Sequence, residues 1–504
     1  MLQLFFQVAA ASAVLAGGPV DPTGPGAPAA EARYDGSAAG VDVATPSIPS
    51  AQIDVDGVID ETAWSRAALL DGFTQFDPIE GIAATQKTEV LVFVDEDAIY
   101  FAVRAFDDDP AQIRATLSER DSYTFSDDYI RFILDTFNDQ RRAYVFTINP
   151  LGVQHDGLWN ESGGGAGRRG RGMFSPIDDA PDFLWWSDAR VTEWGYEAEV
   201  RIPFKSLRFP EQAEQTWGLQ VERNIQRNGY KSSWAPITGN VANRLTQSGR
   251  LNELRNLDMG LFMELNPVLT GSRNGSLDEL DRFTHQSPEG EFGLNATYGV
   301  TSNLTLDATY NPDFSQVEAD AGQVQVNERF ALFFPEQRPF FLEGTEIFGM
   351  QKQLVYTRTV ENPIAGGKLT GKVGGLNLGY LGAVDETFSE GAANVYVNLV
   401  RLRGDVGRSS TIGAVYTDRT ISATKFNRVA GADARLQLGG RYTLSLIGAQ
   451  SFTHYDDYTA RVDGSMLSTR IERAGRTFSF NAELEDTDAA SDTESGFFQR
   501  IGTA

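Results

Sequence analysis

Apolar residues in this chain recur at a period of two, segment after segment, and scarcely ever at the period of a helix. Glu291 to Tyr298 places Phe292, Leu294, Ala296 and Tyr298 on one face, with Gly293, Asn295 and Thr297 on the other. After the turn Thr301-Ser302-Asn303, Leu304, Leu306, Ala308 and Tyr310 alternate with Thr305, Asp307 and Thr309. Neighbouring side chains of a strand point to opposite faces, so one face is apolar and the other polar. Segments of about ten residues with this pattern suit membrane β-barrel strands that turn their apolar side outward. Tyr298 and Tyr310 end their segments, where an aromatic girdle lies in such barrels. Further candidates are 368–373, 376–384, 394–402, 411–416, 434–439, 443–451 and 476–485. A soluble antiparallel sheet with one wet face would alternate in the same way.

Residues 51–257 read as soluble β-structure. Thr88 to Val94 is a strand, Asp95-Glu96-Asp97 a turn, and Ile99 to Phe106 the returning strand of a hairpin. Asp128–Asp135, Tyr144–Asn149, Tyr196–Ile202 and Trp217–Glu222 continue the pattern, which suggests a β-sandwich. The best helix candidate is short, Asp60 to Leu70, with Asp60 as N-cap. Residues 1–16 are apolar and end Val14-Leu15-Ala16, which reads as a secretory signal peptide, although no Lys or Arg precedes the apolar run. Residues 17–50 are rich in Pro, Gly and Ala and read as a flexible linker.

Composition removes several functions. The chain has 43 basic and 69 acidic residues, a formal charge of −26, which argues against a nucleic-acid partner. It has no Cys, so disulfides, thiolate metal sites and a Cys nucleophile are excluded. Its three His (His155, His285, His454) are far apart in sequence, which disfavours a His-rich zinc site. No run approaches the roughly 20 apolar residues of a membrane helix.

Between the alternating segments lies a different texture. Asn311-Pro312-Asp313-Phe314-Ser315-Gln316-Val317-Glu318-Ala319-Asp320 is followed by Phe333-Phe334-Pro335-Glu336-Gln337-Arg338-Pro339-Phe340-Phe341-Leu342-Glu343-Gly344. These runs resemble the signature of a family of bacterial outer-membrane proteins of unassigned function, which carry an N-terminal domain similar to the family 9 carbohydrate-binding module before a β-barrel. In this chain Asn311, Asp313, Gln316, Glu318, Arg338 and Glu343 mark the signature, within an insert spanning 312–350. The upstream region resembles the module over about 200 residues. The likeness starts at Asp56-Gly57-Val58-Ile59-Asp60-Glu61-Thr62-Ala63-Trp64 and continues through Arg120-Asp121, Asp127-Asp128, Asp135-Thr136 and Asn149-Pro150-Leu151-Gly152 to the run Trp194–Phe204. Each piece alone is weak; the ordered series is specific. The resemblance implies an all-β protein, a sandwich over 51–257 followed by an antiparallel outer-membrane barrel over 258–504. Family members run on past Ala504, so the barrel is expected to be truncated.

Glycan binding needs aromatic platforms beside polar groups. All seven Trp fall in the sandwich region: Trp64, Trp159, Trp185, Trp186, Trp194, Trp217 and Trp234. Trp185 and Trp186 are adjacent, so on a strand only one faces the core and the other is the first candidate platform. Trp159, read as lying in a loop after Asp156-Gly157, is the second, and Trp64, Trp194 and Trp217 are expected in the core. Asp54, Asp56, Asp60 and Glu61 have spacings that a calcium loop could use, without the later Glu of an EF-hand, and the resemblance implies structural calcium. A Gly turn followed by a helix cap explains the same residues.

No carboxylate pair stands out for glycoside hydrolysis, and there is no Gly-x-Ser-x-Gly elbow. Arg120, Asp121, Asp128 and Asp135 read as a structural charge network. The basic loop 163–172 reads as a solvated insertion, with an acidic glycan or lipopolysaccharide as the alternative contact. The insert is too charged for lipid and too aromatic for water, which places it in the barrel lumen or on the rim. The expected protein is an outer-membrane barrel with a periplasmic glycan-binding sandwich, in contact with a glycan or glycoconjugate and with membrane lipid. A secreted glycan-degrading hydrolase and a structural envelope protein without sugar binding are the rivals.

Overall fold

The computed structural model describes residues 32–38, 40–122, 126–161, 177–179, 181–257, 262–273, 275–277, 283–285, 287, 289–312, 336–342, 344–386, 393–455 and 460–497. The expected signal peptide, the basic loop 163–172, and Asp313, Gln316, Glu318 and Glu343 lie outside these residues.

The fold is all-β. A six-stranded sheet runs in the order Ala32–Asp35, Ala68–Asp71, Thr88–Val94, Ala98–Phe106, Gly195–Pro203 and Trp186–Thr192. It packs on a ten-stranded sheet centred on Gln154–Asn160, Arg142–Ile148, Tyr129–Asp135 and Glu214–Ile225. Val92, Phe101 and Val103 from the first sheet meet Phe132, Phe146 and Trp217 from the second in one core. Phe101 and Phe132 stack at 4.4 Å across the interface. The other face of the six-stranded sheet is covered by Ile48, Ile59 and Trp64, which pack on Leu91, Phe93 and Tyr100.

Two expectations need correction here. Residues 32–50 are not a linker: Ala32–Asp35 pairs in parallel with Ala68–Asp71, Asp42–Ala44 pairs with Gly249–Arg255, and Ser47 bridges Val94. Their Pro and Gly content fits edge pairing, in which a strand needs hydrogen bonds on only one side. The expected helix over 60–70 is a 3-10 turn, Thr62–Arg66, followed by the strand Ala68–Asp71. Trp64 leads into the wholly buried run Ala67–Leu70, which sheet burial on both faces favours over a one-sided helix.

The second half is an eleven-stranded antiparallel sheet in simple chain order. Its strands are Met263–Ser272, Glu289–Thr301, Leu304–Tyr310, Pro363–Val373, Leu376–Asp385, Val395–Val406, Ser410–Ser422, Lys425–Leu438, Tyr442–His454, Val462–Arg473 and Phe480–Thr487. Among the described residues the first and last strands do not pair, so closure into a barrel is not seen. The outward face is apolar and the inward face is mixed, with Val395, Val397 and Leu399 buried on the same side of their strand as Arg401 and Arg403. Along Leu304–Tyr310, Thr305, Asp307 and Thr309 are buried while Leu306 and Tyr310 are exposed. Along Val395–Val406, Arg401 and Arg403 are buried while Tyr396, Leu402 and Val406 are exposed.

The described part of the insert covers the inward face. Phe340, Phe341, Phe348 and Leu354 pack on Leu381, Val397 and Leu399. Arg338 is buried. Its Nη1 donates to the Val360 carbonyl at 2.6 Å, its Nε donates to Glu336 at 2.8 Å, and its guanidinium lies 4.2 Å from the Phe341 ring. Asn311, with φ of 40°, turns the chain out of the sheet and donates from Nδ2 to the Phe292 carbonyl. The sandwich docks at one end of this sheet. Arg141 donates to the Gly407 and Ser410 carbonyls, the Ala242 amide to Gly440, and the Arg476 amide to Asn240. Turns at that end are short: 374–375, 407–409 and 439–441.

Candidate functional site

Trp185 and Trp186 part company as strand geometry demands. Trp185 is 2% exposed, packs edge-on against Phe146 at 5.3 Å, and donates from Nε1 to Asp156 at 3.3 Å. Trp186 is 40% exposed and starts the edge strand Trp186–Thr192. Its Cα partner is Arg201, whose guanidinium sits 4.9 Å from the indole; the Lys205 ammonium lies 6.0 Å away. Arg201 is held in turn by Tyr100, its Nε donating to the phenol oxygen at 3.0 Å, and Tyr100 donates to Asp95 at 2.9 Å. Register carries this row inward through Tyr100 to Phe93. Two residues along the same strand face, Asp188 is exposed. An indole at a sheet edge, with two cations and a carboxylate around it, offers an apolar face and hydroxyl partners together.

Trp159 lies on the strand Gln154–Asn160, not in a loop, and is 5% exposed. Its Nε1 donates to Glu161 at 2.9 Å, and Arg244 covers the ring at 5.5 Å. Its burial, and not the cation alone, leaves the indole no open face for a ligand. Trp64, Trp217 and Trp234 are fully buried, and Trp194 is half-buried against Phe106.

Asp54, Asp56, Asp60 and Glu61 do not converge on one point. Glu61 accepts from the Asp54 amide at 2.9 Å and from Trp64 Nε1 at 3.1 Å, and Asp56 accepts from the Val58 amide. Glu61 and Asp56 thus close the loop by hydrogen bonding. Their neighbour Glu199 was not legible in advance. It is buried, accepts from Trp64 Nε1 at 3.0 Å and from the Asp56 and Gly57 amides at 3.2 Å. Burial, followed by the charge of Glu61, pushes its carboxyl up to about 8. Gly57 itself has φ of +78°, a conformation in which a side chain would be strained.

Among the described residues, the acidic group that could reach one cation is Asp121, Asp156 and Asp182. Arg120 already fills that role, with Nη2 2.6 Å from Asp156 and Nε 3.0 Å from Asp182. Burial and the charge of Asp156 raise Asp121 to about 6. The expected single network of Arg120, Asp121, Asp128 and Asp135 separates into three. Asp128 accepts from the Gln226 amide, and Asp135 accepts from the Asp139 and Gln140 amides of its own turn. Strand register, which the sequence alone does not reveal, sets these partners.

Residues 263–370 match a family described as a domain of unknown function (DUF5916). None of the curated proteins matches the chain. A family 9 carbohydrate binding module from Caldicellulosiruptor kristjanssonii, solved in complex with cellotriose, is similar over 41% of this chain and 92% of its own, at 14% identity and a TM-score of 0.29. A proposed carbohydrate-binding protein from Bacteroides uniformis is similar over 42% of this chain and 98% of its own, at 13% identity and a TM-score of 0.30. A mutant of the Rh. blastica porin is similar over 71% of this chain and 96% of its own, at 9% identity and a TM-score of 0.18. At these identities and scores they are likenesses of parts of the chain and carry no argument about what it binds.

Proposed function

We propose that this protein is an outer-membrane β-barrel whose periplasmic sandwich captures a glycan at Trp186. The observation that carries the membrane reading is the exposed apolar face of the eleven-stranded sheet. Cross-strand partners share a face, and one row runs Met263, Tyr298, Leu306, Leu369, Tyr380, Val400 and Tyr416. Met263, Tyr298, Leu306, Tyr380 and Tyr416 in that row are exposed. A soluble monomer rarely leaves an apolar face of this extent in water, whereas a barrel places it in lipid. The buried arginines and threonines then line the lumen, and the insert fills part of it. Docking at the short-turn end supports a periplasmic sandwich, because short turns lie on that side in outer-membrane barrels.

The glycan reading rests on Trp186, the exposed member of the Trp pair, framed by Arg201, Lys205 and Asp188. The test is a glycan array probed with the full chain and with Trp186→Ala. Capture of oligosaccharides by the parent and its loss in the variant support the reading. Equal signals from both proteins would remove it.

A further inference from the structure

A small cavity lies between the insert and the inward face of the sheet, lined by Met350 and Gln351 on one side and by Arg401, Arg403, Asp433 and Arg435 on the other. The cations around it mostly have anionic partners. Arg401 Nη2 meets Asp433 at 3.0 Å, Lys372 meets Asp405 at 2.8 Å, and Arg142 meets Glu346 at 2.7 Å. Gly413 makes room for the first pair, since a Cβ there would lie 2.5 Å from Arg401 Nη1. Arg435 reaches only to 3.9 Å from Glu161. Arg403 differs from all of these. It is 3% exposed, and neither Nε nor Nη1 has an acceptor among the described residues. A buried guanidinium nitrogen without an acceptor is costly, and Nε or Nη1, each taken with Nη2, forms a fork that matches a carboxylate in two parallel hydrogen bonds. Across the same cavity the Oε1 of Gln351 is buried with no donor, while its Nε2 is held by Ser468 at 2.9 Å.

The cavity wall therefore holds unmet donors at Arg403 and an unmet acceptor at Gln351. We propose that the cavity binds the acidic end of a carboxylate-bearing sugar, with Arg403 gripping the carboxylate and Gln351 Oε1 accepting from a hydroxyl. Arg435 adds positive potential and the Arg401–Asp433 pair fixes the wall. This deepens the glycan reading, on which the route of the sugar to the cavity rests; the cavity itself is formed by the insert and the sheet.

The experiment is calorimetric titration of the full chain in detergent with glucuronate, glucose and inorganic phosphate. A Trp186→Ala background removes any contribution from the sandwich. Expected are binding of glucuronate, no binding of glucose, competition by phosphate, and at least a tenfold loss of affinity in Arg403→Gln. Arg403→Lys, which keeps the charge and loses the fork, should also weaken binding and serves where the Gln variant fails to fold. Equal affinity for glucose and glucuronate, no binding of glucuronate, or unchanged affinity in both Arg403 variants would overturn the proposal. Failure of the sandwich to bind glycans leaves these outcomes unaffected, so the two readings fail separately.

Discussion

Arg142, on the sandwich strand Arg142–Ile148, donates from Nη1 to Oε1 of Glu346 in the insert at 2.7 Å, and both side chains are nearly buried. The same insert residue accepts from Asn160 through its carbonyl at 3.5 Å. These two contacts thus join the sandwich to the insert. Removing one member of a buried pair strands the other and costs about 3–5 kcal/mol. Glu346→Ala should lower the unfolding midpoint of the full chain and open the interface to limited proteolysis. Replacing both members with Met and Leu should recover most of the loss, read by the same two assays.

Glu199 makes the sandwich sensitive to pH. Its carboxyl is held up to about 8 in the fold, chiefly by burial and then by Glu61, against 4.5 for the ordinary group. The folded state then binds more protons than the unfolded state between those limits. Its contribution to stability is greatest below about 4.5, declines as pH rises, and levels off above about 8. Glu199→Gln keeps an acceptor for the Asp56 and Gly57 amides and should flatten this slope. Thermal unfolding at pH 6 and pH 9 checks it; an unchanged slope would rule out Glu199 as its source.

The two adjacent tryptophans should respond in opposite ways. Trp185→Ala empties a core site and should cost about 3–5 kcal/mol of stability. Trp186→Ala should leave the unfolding midpoint nearly unchanged while weakening glycan binding by about tenfold or more, roughly 1.4 kcal/mol. Paired melting and binding curves separate the effects. A large stability loss in Trp186→Ala would make it a structural residue.

Period-two alternation is a local property, so it was legible. The hairpin around Ser302-Asn303 and the strands Leu376–Asp385 and Tyr442–His454 lie close to their expected places, whereas Lys425–Leu438 starts well before the expected 434–439 and Ser410–Ser422 runs well past the expected 411–416. Val462–Arg473 escaped notice because Asp463, Ser465, Thr469 and Arg470 hide its few apolar residues. Residues 32–50 were misread because Gly and Pro suggest a linker, while their pairing depends on distant strands. Trp186 was visible as half of a pair, but Arg201 and Lys205 were not. They join it only through the register of Trp186–Thr192 on Gly195–Pro203, and through the turn that follows. Arg403 was invisible for the same reason: in sequence it is one of several alternating residues, and its neighbours Arg142, Asp139 and Glu346 come from distant parts of the chain.

The outward face offers a direct contrast. Leu402 is 37% exposed on the strand Val395–Val406. On a soluble sheet Leu402→Arg should change stability by no more than about 0.5 kcal/mol. In a lipid-facing position near the bilayer midplane the same change costs about 2–4 kcal/mol. Urea unfolding in lipid vesicles distinguishes the two cases, with Arg408→Gln in the short turn as a nearly silent control.

The membrane reading is tested most directly by gel mobility of the full-length gene product taken from isolated outer membranes, with and without boiling. A closed barrel resists detergent until heated, so the expected result is a membrane-fraction protein whose band shifts on boiling. A protein in the soluble fraction whose band does not shift would contradict the barrel. It would leave the exposed row from Met263 to Tyr416 to be explained by a protein partner.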